Sequence, residues 1–105
     1  MNATASPAPI GRFAPSPTGP LHLGSLLAAV GSWLVARSRG GRWLVRIEDL
    51  DSARVVPGSA EAILESLARF GLTWDGEPVR QSARAGLYGD AREQLRSSGK
   101  AFECS

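Results

Sequence analysis

The sequence predicts an α/β fold built on a parallel βαβ unit. Three observations carry that expectation. A short apolar stretch, Ile10 to Ala14, runs into a loop stiffened by Pro15, Pro17, Gly19 and Pro20. A helical period follows from about His22 to Ser38 and stops at Gly40-Gly41. Arg42 to Ile47 is then nearly continuous in apolar character, through Trp43, Leu44, Val45 and Ile47, as a strand covered on both faces requires. Strand, helix and strand in that order imply parallel strands joined by a right-handed crossover.

Each element has its own signal. Residues 1–9 are small and Pro-rich and read as a disordered leader. In the first helix Leu23, Leu26, Leu27, Val30, Leu34 and Val35 recur at intervals near three and four. Pro57 and Gly58 open a second helix near Ser59 to Phe70, with Ala60, Ile63, Leu64, Leu67 and Ala68 along one face and Gly71 at its end. Leu72, Trp74, Asp75 and Gly76 form a turn. Ser82 caps a third helix, about Ala83 to Ser98, which Gly99 stops. Lys100 to Cys104 begins an extended segment, and Trp33, Trp43 and Trp74 read most simply as core. No internal repeat and no interdomain linker is visible.

Composition bounds what the chain does. At 105 residues, 43% apolar and 21% charged, it is one small domain or a piece of a larger one, and wholesale disorder is excluded. The net charge is +2, but residues 1–45 carry Arg12, Arg37, Arg39 and Arg42 and no acid. Lys100 is the only lysine. Arginine suits forked binding of carboxylate or phosphate, although a genome rich in Arg codons would give the same excess. A single cysteine, Cys104, excludes an internal disulfide framework. The most apolar stretch, Leu21 to Ala36, is too short and too interrupted to span a bilayer, and the first residues lack the basic start and long apolar run expected of a signal peptide. A soluble, cytoplasmic setting without a membrane partner is therefore expected.

In a parallel α/β sheet, ligands bind beyond the carboxyl ends of the strands. Two loops leave that rim, Ala14 to Leu21 and Glu48 to Val56, and the helix starting near His22 aims its unpaired N–H groups at the same place. Arg12, Ser16, His22, Gly24 and Glu48, scattered in sequence, should converge there. Gly19 and Gly24 have P-loop spacing, but Ser25 and Leu26 follow rather than Lys and Ser/Thr, so a Walker A loop is rejected. No G-x-G-x-x-G follows the first strand. His22, the only histidine, is either a capping residue or a site residue, and its place at a helix mouth favours the site. Glu48-Asp49-Leu50-Asp51 sets three carboxylates at a strand end. Asp49 and Asp51 read equally well as a solvated turn, Glu48 is the better ligand, and Arg46 and Arg54 would simply neutralise the cluster.

Arg12-Phe13-Ala14-Pro15-Ser16-Pro17-Thr18-Gly19, then Leu21-His22-Leu23-Gly24, then Arg46-Ile47-Glu48-Asp49, resemble the class I glutamyl-tRNA synthetases, with His22-Leu23-Gly24-Ser25 similar to the HIGH signature. The resemblance covers about Ile10 to Ser105. Gly24 to Ala29, Gly41 to Asp49, Val56-Pro57-Gly58 and Trp74-Asp75-Gly76 are similar to the branch that attaches glutamate to queuosine at the wobble position of tRNA(Asp). The Gly-Gly-Ala-Arg-Thr-like run of ordinary glutamyl-tRNA synthetases is missing after the histidine.

The resemblance implies the N-terminal half of a Rossmann-like nucleotide-binding fold. It implies that Arg12 binds the glutamate side-chain carboxylate and that Ser16 and Glu48 hold the α-ammonium, with Phe13, Ala14 and Pro15 lining the same glutamate subsite. His22 and the helix N-terminus would contact the ATP phosphates, Gly24 would let adenine approach the backbone, and Thr18 and Ser25 would complete the ATP site. Glutamate, ATP with Mg2+, and tRNA(Asp) are the partners it implies, acting on a monomer. Zinc is implied too, with Cys104 at the first position of a Cys-x-Cys pair that residues 10–105 cannot complete. The KMSKS-like lysine loop, the second half of the nucleotide fold and further glutamate-binding Tyr and Arg residues have no counterpart. Residues 10–105 thus read as a partial catalytic domain, inactive by itself. The alternatives are part of an ordinary glutamyl-tRNA synthetase, or a non-catalytic remnant that binds ATP or glutamate.

Overall fold

The computed structural model describes residues 6–104. Strand β1 (Ile10–Phe13) leads through a loop to helix α1 (Leu23–Ser38) and back to strand β2 (Arg42–Ile47). Helix α2 (Ser59–Arg69), strand β3 (Val79–Arg80), a single 3-10 turn (Gln81–Arg84) and helix α3 (Ala85–Ser97) follow. The three strands are parallel in the order β1-β2-β3, with Arg12 opposite Leu44 and Ile47 opposite Arg80. The α/β expectation and the βαβ unit hold. Residues 1–5 of the expected leader lie outside the described residues. The Pro9 carbonyl accepts the Arg42 N–H at 3.1 Å, so the ladder begins one residue ahead of β1.

Strand alternation decides the layers. Phe13, Trp43, Val45 and Ile47 face α1 and α2 and are buried, together with Ala29, Ala36, Ala60, Ile63, Leu67 and Leu72. The Phe13 and Trp43 rings stack with centroids 6.1 Å apart. Trp33 and Trp74 pack against this core from its edge. On the other face of the sheet lie Ile10, Arg12, Leu44 and Arg46, and none of these is fully buried. The near-continuous apolar run of β2 therefore does not mark a strand covered on both sides by the described residues.

The burial of α1 also departs from its sequence pattern. Its deepest residues are Ala29 and Ala36, while Leu23 is 81% and Leu27 70% exposed, and Leu34 and Val35 are exposed as well. Small residues face the sheet because helix and strand come close. A Cβ on Gly11 would lie 3.0 Å from the Trp43 ring and 3.2 Å from the Ala36 side chain. At Gly41 a Cβ would run into the Pro9 carbonyl, so only glycine admits the turn from α1 into β2.

Three further corrections come from long-range contacts. A third strand exists where the sequence shows only a turn and a helix cap; two residues are too few to display a period. Ser82 does not cap α3, which starts three residues later. Its N–H and hydroxyl instead donate to the Asp49 carboxylate, at 2.8 and 2.7 Å. Ala68, placed on the apolar face of α2 by its spacing, is exposed.

Asp75 ties the turn before β3 to the sheet. Its N–H donates to the Trp43 carbonyl at 2.8 Å, and its Oδ2 accepts the Trp43 N–H at 2.8 Å, which imitates one rung of a ladder. Arg37 donates to the same oxygen at 2.8 Å and to the Thr73 carbonyl at 2.7 Å. The Trp43 N–H, aided by the Arg37 guanidinium, holds the Asp75 carboxyl below the ordinary 3.8. Burial pushes Asp49 up, but the Ser82 hydroxyl and N–H outweigh it and its carboxyl also lies below 3.8. A carboxyl depressed in the folded state stabilises the fold above its ordinary pKa and loses that contribution as the pH falls through its folded value. The melting temperature is therefore expected to fall steeply below about pH 4. The fall should be shallower in Asp75→Asn; equal slopes in a series of melts from neutral to acid pH would show that Asp75 does not carry the effect.

Candidate active site

The loop that leaves β1 is fixed by the chain around it. The Glu48 N–H donates to the Pro15 carbonyl and the Val56 N–H to the Pro17 carbonyl, both at 2.9 Å. Ser59, buried at the start of α2, accepts the Gly19 N–H at 3.1 Å and donates its hydroxyl to the Gly19 carbonyl at 2.7 Å. Pro17 is fully buried. The proline-rich loop thus has three anchors as well as its own stiffness, and it holds a rigid wall beside the mouth of α1.

That wall closes an open cavity of about 420 Å³ at the carboxyl end of β1. Phe13, Ala14, Pro15, Ser16 and Thr18 line it from the loop, and His22, Gly24 and Ser25 from the helix mouth. All eight were singled out in the sequence, and the fold brings them together. Arg12 and Glu48 are not in that lining. Arg12 is exposed on the face of β1 opposite Phe13. Glu48 follows β2 on the same side as Arg46, whose Nε lies 3.8 Å from its Oε1. The fold thus gathers eight of the candidates at one cavity and leaves Arg12 and Glu48 outside its lining.

His22 has a structural task there. It is the N-cap of α1; its Nδ1 accepts the Ser25 N–H at 3.1 Å, and its Nε2 lies 3.0 Å from the Ser25 hydroxyl. The capping and site readings of His22 are thus compatible. Gly24 serves the same arrangement, because a Cβ on it would lie 3.1 Å from two atoms of the His22 ring. The remaining unpaired N–H groups of α1's first turn give the cavity a partial positive charge suited to an anion.

Sequence reasoning missed Tyr88 beside the site, and with it what holds Arg46. Arg46 donates from Nη2 to the Tyr88 hydroxyl at 3.0 Å, with its guanidinium 5.9 Å from the centre of the Tyr88 ring. Nothing local in the sequence pairs residues so far apart. Cys104 is exposed near the end of the described chain. Among the described residues no group of three or more His, Cys, Asp or Glu is arranged to hold a metal ion.

Residues 10–105 match the family model described as tRNA synthetases class I (E and Q), catalytic domain. The chain belongs to that family. Among curated relatives of this class I synthetase domain, the glutamyl-Q tRNA(Asp) synthetase of Aromatoleum aromaticum is 59% identical over 101 residues, 96% of this chain and 32% of that protein. The glutamyl-Q tRNA(Asp) synthetase of Geobacter sulfurreducens is 58% identical over 102 residues, with 97% and 32% covered. The chain spans about a third of the length of these relatives. Among solved structures, a glutamate tRNA ligase from Elizabethkingia meningosepticum, crystallised in complex with its amino acid, superposes with a TM-score of 0.81 at 43% identity. It covers 86% of this chain, which spans 20% of that one. The parallel sheet and its helices are consistent with the N-terminal, Rossmann-like half of such a domain. No helix among the described residues is long and apolar enough to cross a membrane.

Proposed function

We propose that this chain is the part of a glutamyl-queuosine tRNA(Asp) synthetase that seats glutamate and ATP. The observation that carries the reading is the cavity at the mouth of α1, where the loop matching the family motif and the His22-Leu23-Gly24-Ser25 signature meet. Curated relatives named for glutamyl-Q tRNA(Asp) at 57–63% identity support the queuosine branch. The solved glutamate tRNA ligases, at 43–44%, keep the ordinary tRNA(Glu) enzyme as the second reading.

In this proposal Arg12 takes the side-chain carboxylate of glutamate in forked geometry, and Ser16 and Glu48 receive its α-ammonium. Phe13, Ala14 and Pro15 shape that subsite. The triphosphate lies against the first turn of α1, near His22, Thr18 and Ser25, and Gly24 leaves room for the base. Mg2+ bound with ATP would supply neutralisation of phosphate charge. A glutamate α-carboxylate oxygen attacks the α-phosphorus, the bond to the β-phosphate oxygen breaks, and pyrophosphate leaves. A ring hydroxyl of the tRNA nucleoside then attacks the activated carbonyl and AMP leaves. No protein nucleophile is required; the chain contributes position and a pre-set field.

The test is charging by the full-length product of the gene that carries this chain. Glutamate is expected on queuosine-containing tRNA(Asp) and not on tRNA(Glu); the reverse result would refute the queuosine reading. The 105-residue chain by itself is expected to give no glutamate-dependent ATP–pyrophosphate exchange. Two variants separate the tasks of His22. His22→Asn keeps a capping side chain and should melt near the wild-type temperature, while His22→Ala should lose about 1 kcal/mol of helix stability. In the full-length product both should raise the KM for ATP, and an unchanged KM in His22→Asn would confine His22 to capping.

A further inference from the structure

The Arg46 guanidinium is held at one end and unsatisfied at the other. Its Nη2 is fixed by the Tyr88 hydroxyl, and the Tyr88 ring stands against its face. Its Nε is buried and has no hydrogen-bond partner among the described residues. A buried N–H left without an acceptor is unfavourable, and the nearest carboxylate, Glu48 Oε1 at 3.8 Å, is beyond hydrogen-bond length. A guanidinium that merely neutralised an acidic loop would need neither a clamp nor a buried, aimed N–H.

Mobility differs between the two partners. Arg46 is the more buried, with 24% of its side chain exposed against 38% for Glu48, and α3 restrains it through Tyr88. Glu48 is tied to the loop through its backbone N–H, on the Pro15 carbonyl. A rotation of the Glu48 side chain by less than the length of a bond would close the gap. One carboxylate oxygen would then accept the Arg46 Nε–H, and the other would be turned toward the rim.

We infer that Arg46, clamped by Tyr88, is the positioning residue for Glu48, orienting its carboxylate to receive the α-ammonium of the amino acid. The inference rests on the proposed role of Glu48 and adds how that role is built. It also gives α3 a task. None of the residues of α3 is buried; Tyr88 ties it to Arg46 at the end of β2 and, through the turn ahead of it, Ser82 ties it to Asp49.

The test is an NMR titration of the 105-residue chain with L-glutamate and with glutarate, the same diacid without the ammonium group. Wild type is expected to prefer glutamate. Arg46→Gln should weaken glutamate about tenfold while glutarate changes less than about twofold. Tyr88→Phe keeps the ring and removes the hydroxyl; it should give about a threefold loss confined to glutamate and carries the test if Arg46→Gln does not fold. Ser82→Ala, which loosens α3 without touching Arg46, should leave the preference intact. A wild-type preference retained in Arg46→Gln or in Tyr88→Phe overturns the positioning role and leaves the Glu48 reading standing. Equal weakening of both ligands, or loss of preference in Ser82→Ala, reduces the clamp to support for the fold and overturns it as well. A wild-type chain that does not distinguish glutamate from glutarate overturns the Glu48 reading and this inference with it.

Discussion

Trp43→Ala is expected to leave the chain largely unfolded at room temperature. Trp43 is 0% exposed, near the start of the middle strand. Its ring stacks on Phe13, its Nε1–H donates to the Ser32 hydroxyl at 3.0 Å, and its backbone is doubly bonded to Asp75. Truncating such a residue costs about 3–5 kcal/mol, against a total of about 5–15 for a well-packed domain. One face of this sheet is only partly covered, so its total should lie at the low end of that range. Trp43→Phe is the milder control, since it keeps a ring against Phe13 and loses the hydrogen bond to Ser32 and part of the ring volume, about 1–2 kcal/mol. Urea titrations followed by circular dichroism read both. A Trp43→Ala chain with wild-type cooperativity and midpoint would mean that the Phe13–Trp43 stack is not the keystone of the core.

Arg12→Ala is expected to abolish selection of glutamate over glutamine. The two amino acids differ only at the side-chain terminus, and a guanidinium there recognises the carboxylate by charge and by paired hydrogen bonds. Losing it should weaken glutamate binding by about 30- to 100-fold and bring its affinity close to that of glutamine. Arg12 is exposed, on the face of β1 away from the buried Phe13, so the melting temperature should hardly move. Arg12→Lys should recover affinity only in part, because an ammonium cannot form the fork. Competition between the two amino acids, read by the same NMR titration, checks this. A variant that still preferred glutamate by the wild-type margin would move recognition of the side-chain carboxylate to another residue.

Much of the site was legible because its signals are local. Pro15, Pro17 and Pro20 deny a helix, Gly40 and Gly41 end one, and His22 stands where a cap belongs, all within a few residues. The motif blocks then named the residues around the cavity. What could not be read was how each residue is held. His22 bonds to Ser25 across one helical turn, but Arg46 finds Tyr88 only after α2, β3 and the start of α3 have been placed. Asp75 read as a turn residue, and it completes the ladder beside Trp43.

The amino-acid order by itself determined the strand–helix–strand frame, its parallel sense and the loop that carries the motif, since period, proline and glycine act over one turn or one strand. Only the tertiary structure decided which side of α1 is buried. There, small residues won over leucines because Gly11 lets Ala36 come close to the sheet, a contact between distant segments that hydropathy along one helix does not encode. The tertiary structure also left Arg12 and Glu48 outside the cavity that His22 lines, because the walls of that cavity come from segments as distant as the β1 loop, the mouth of α1 and Ile63 of α2.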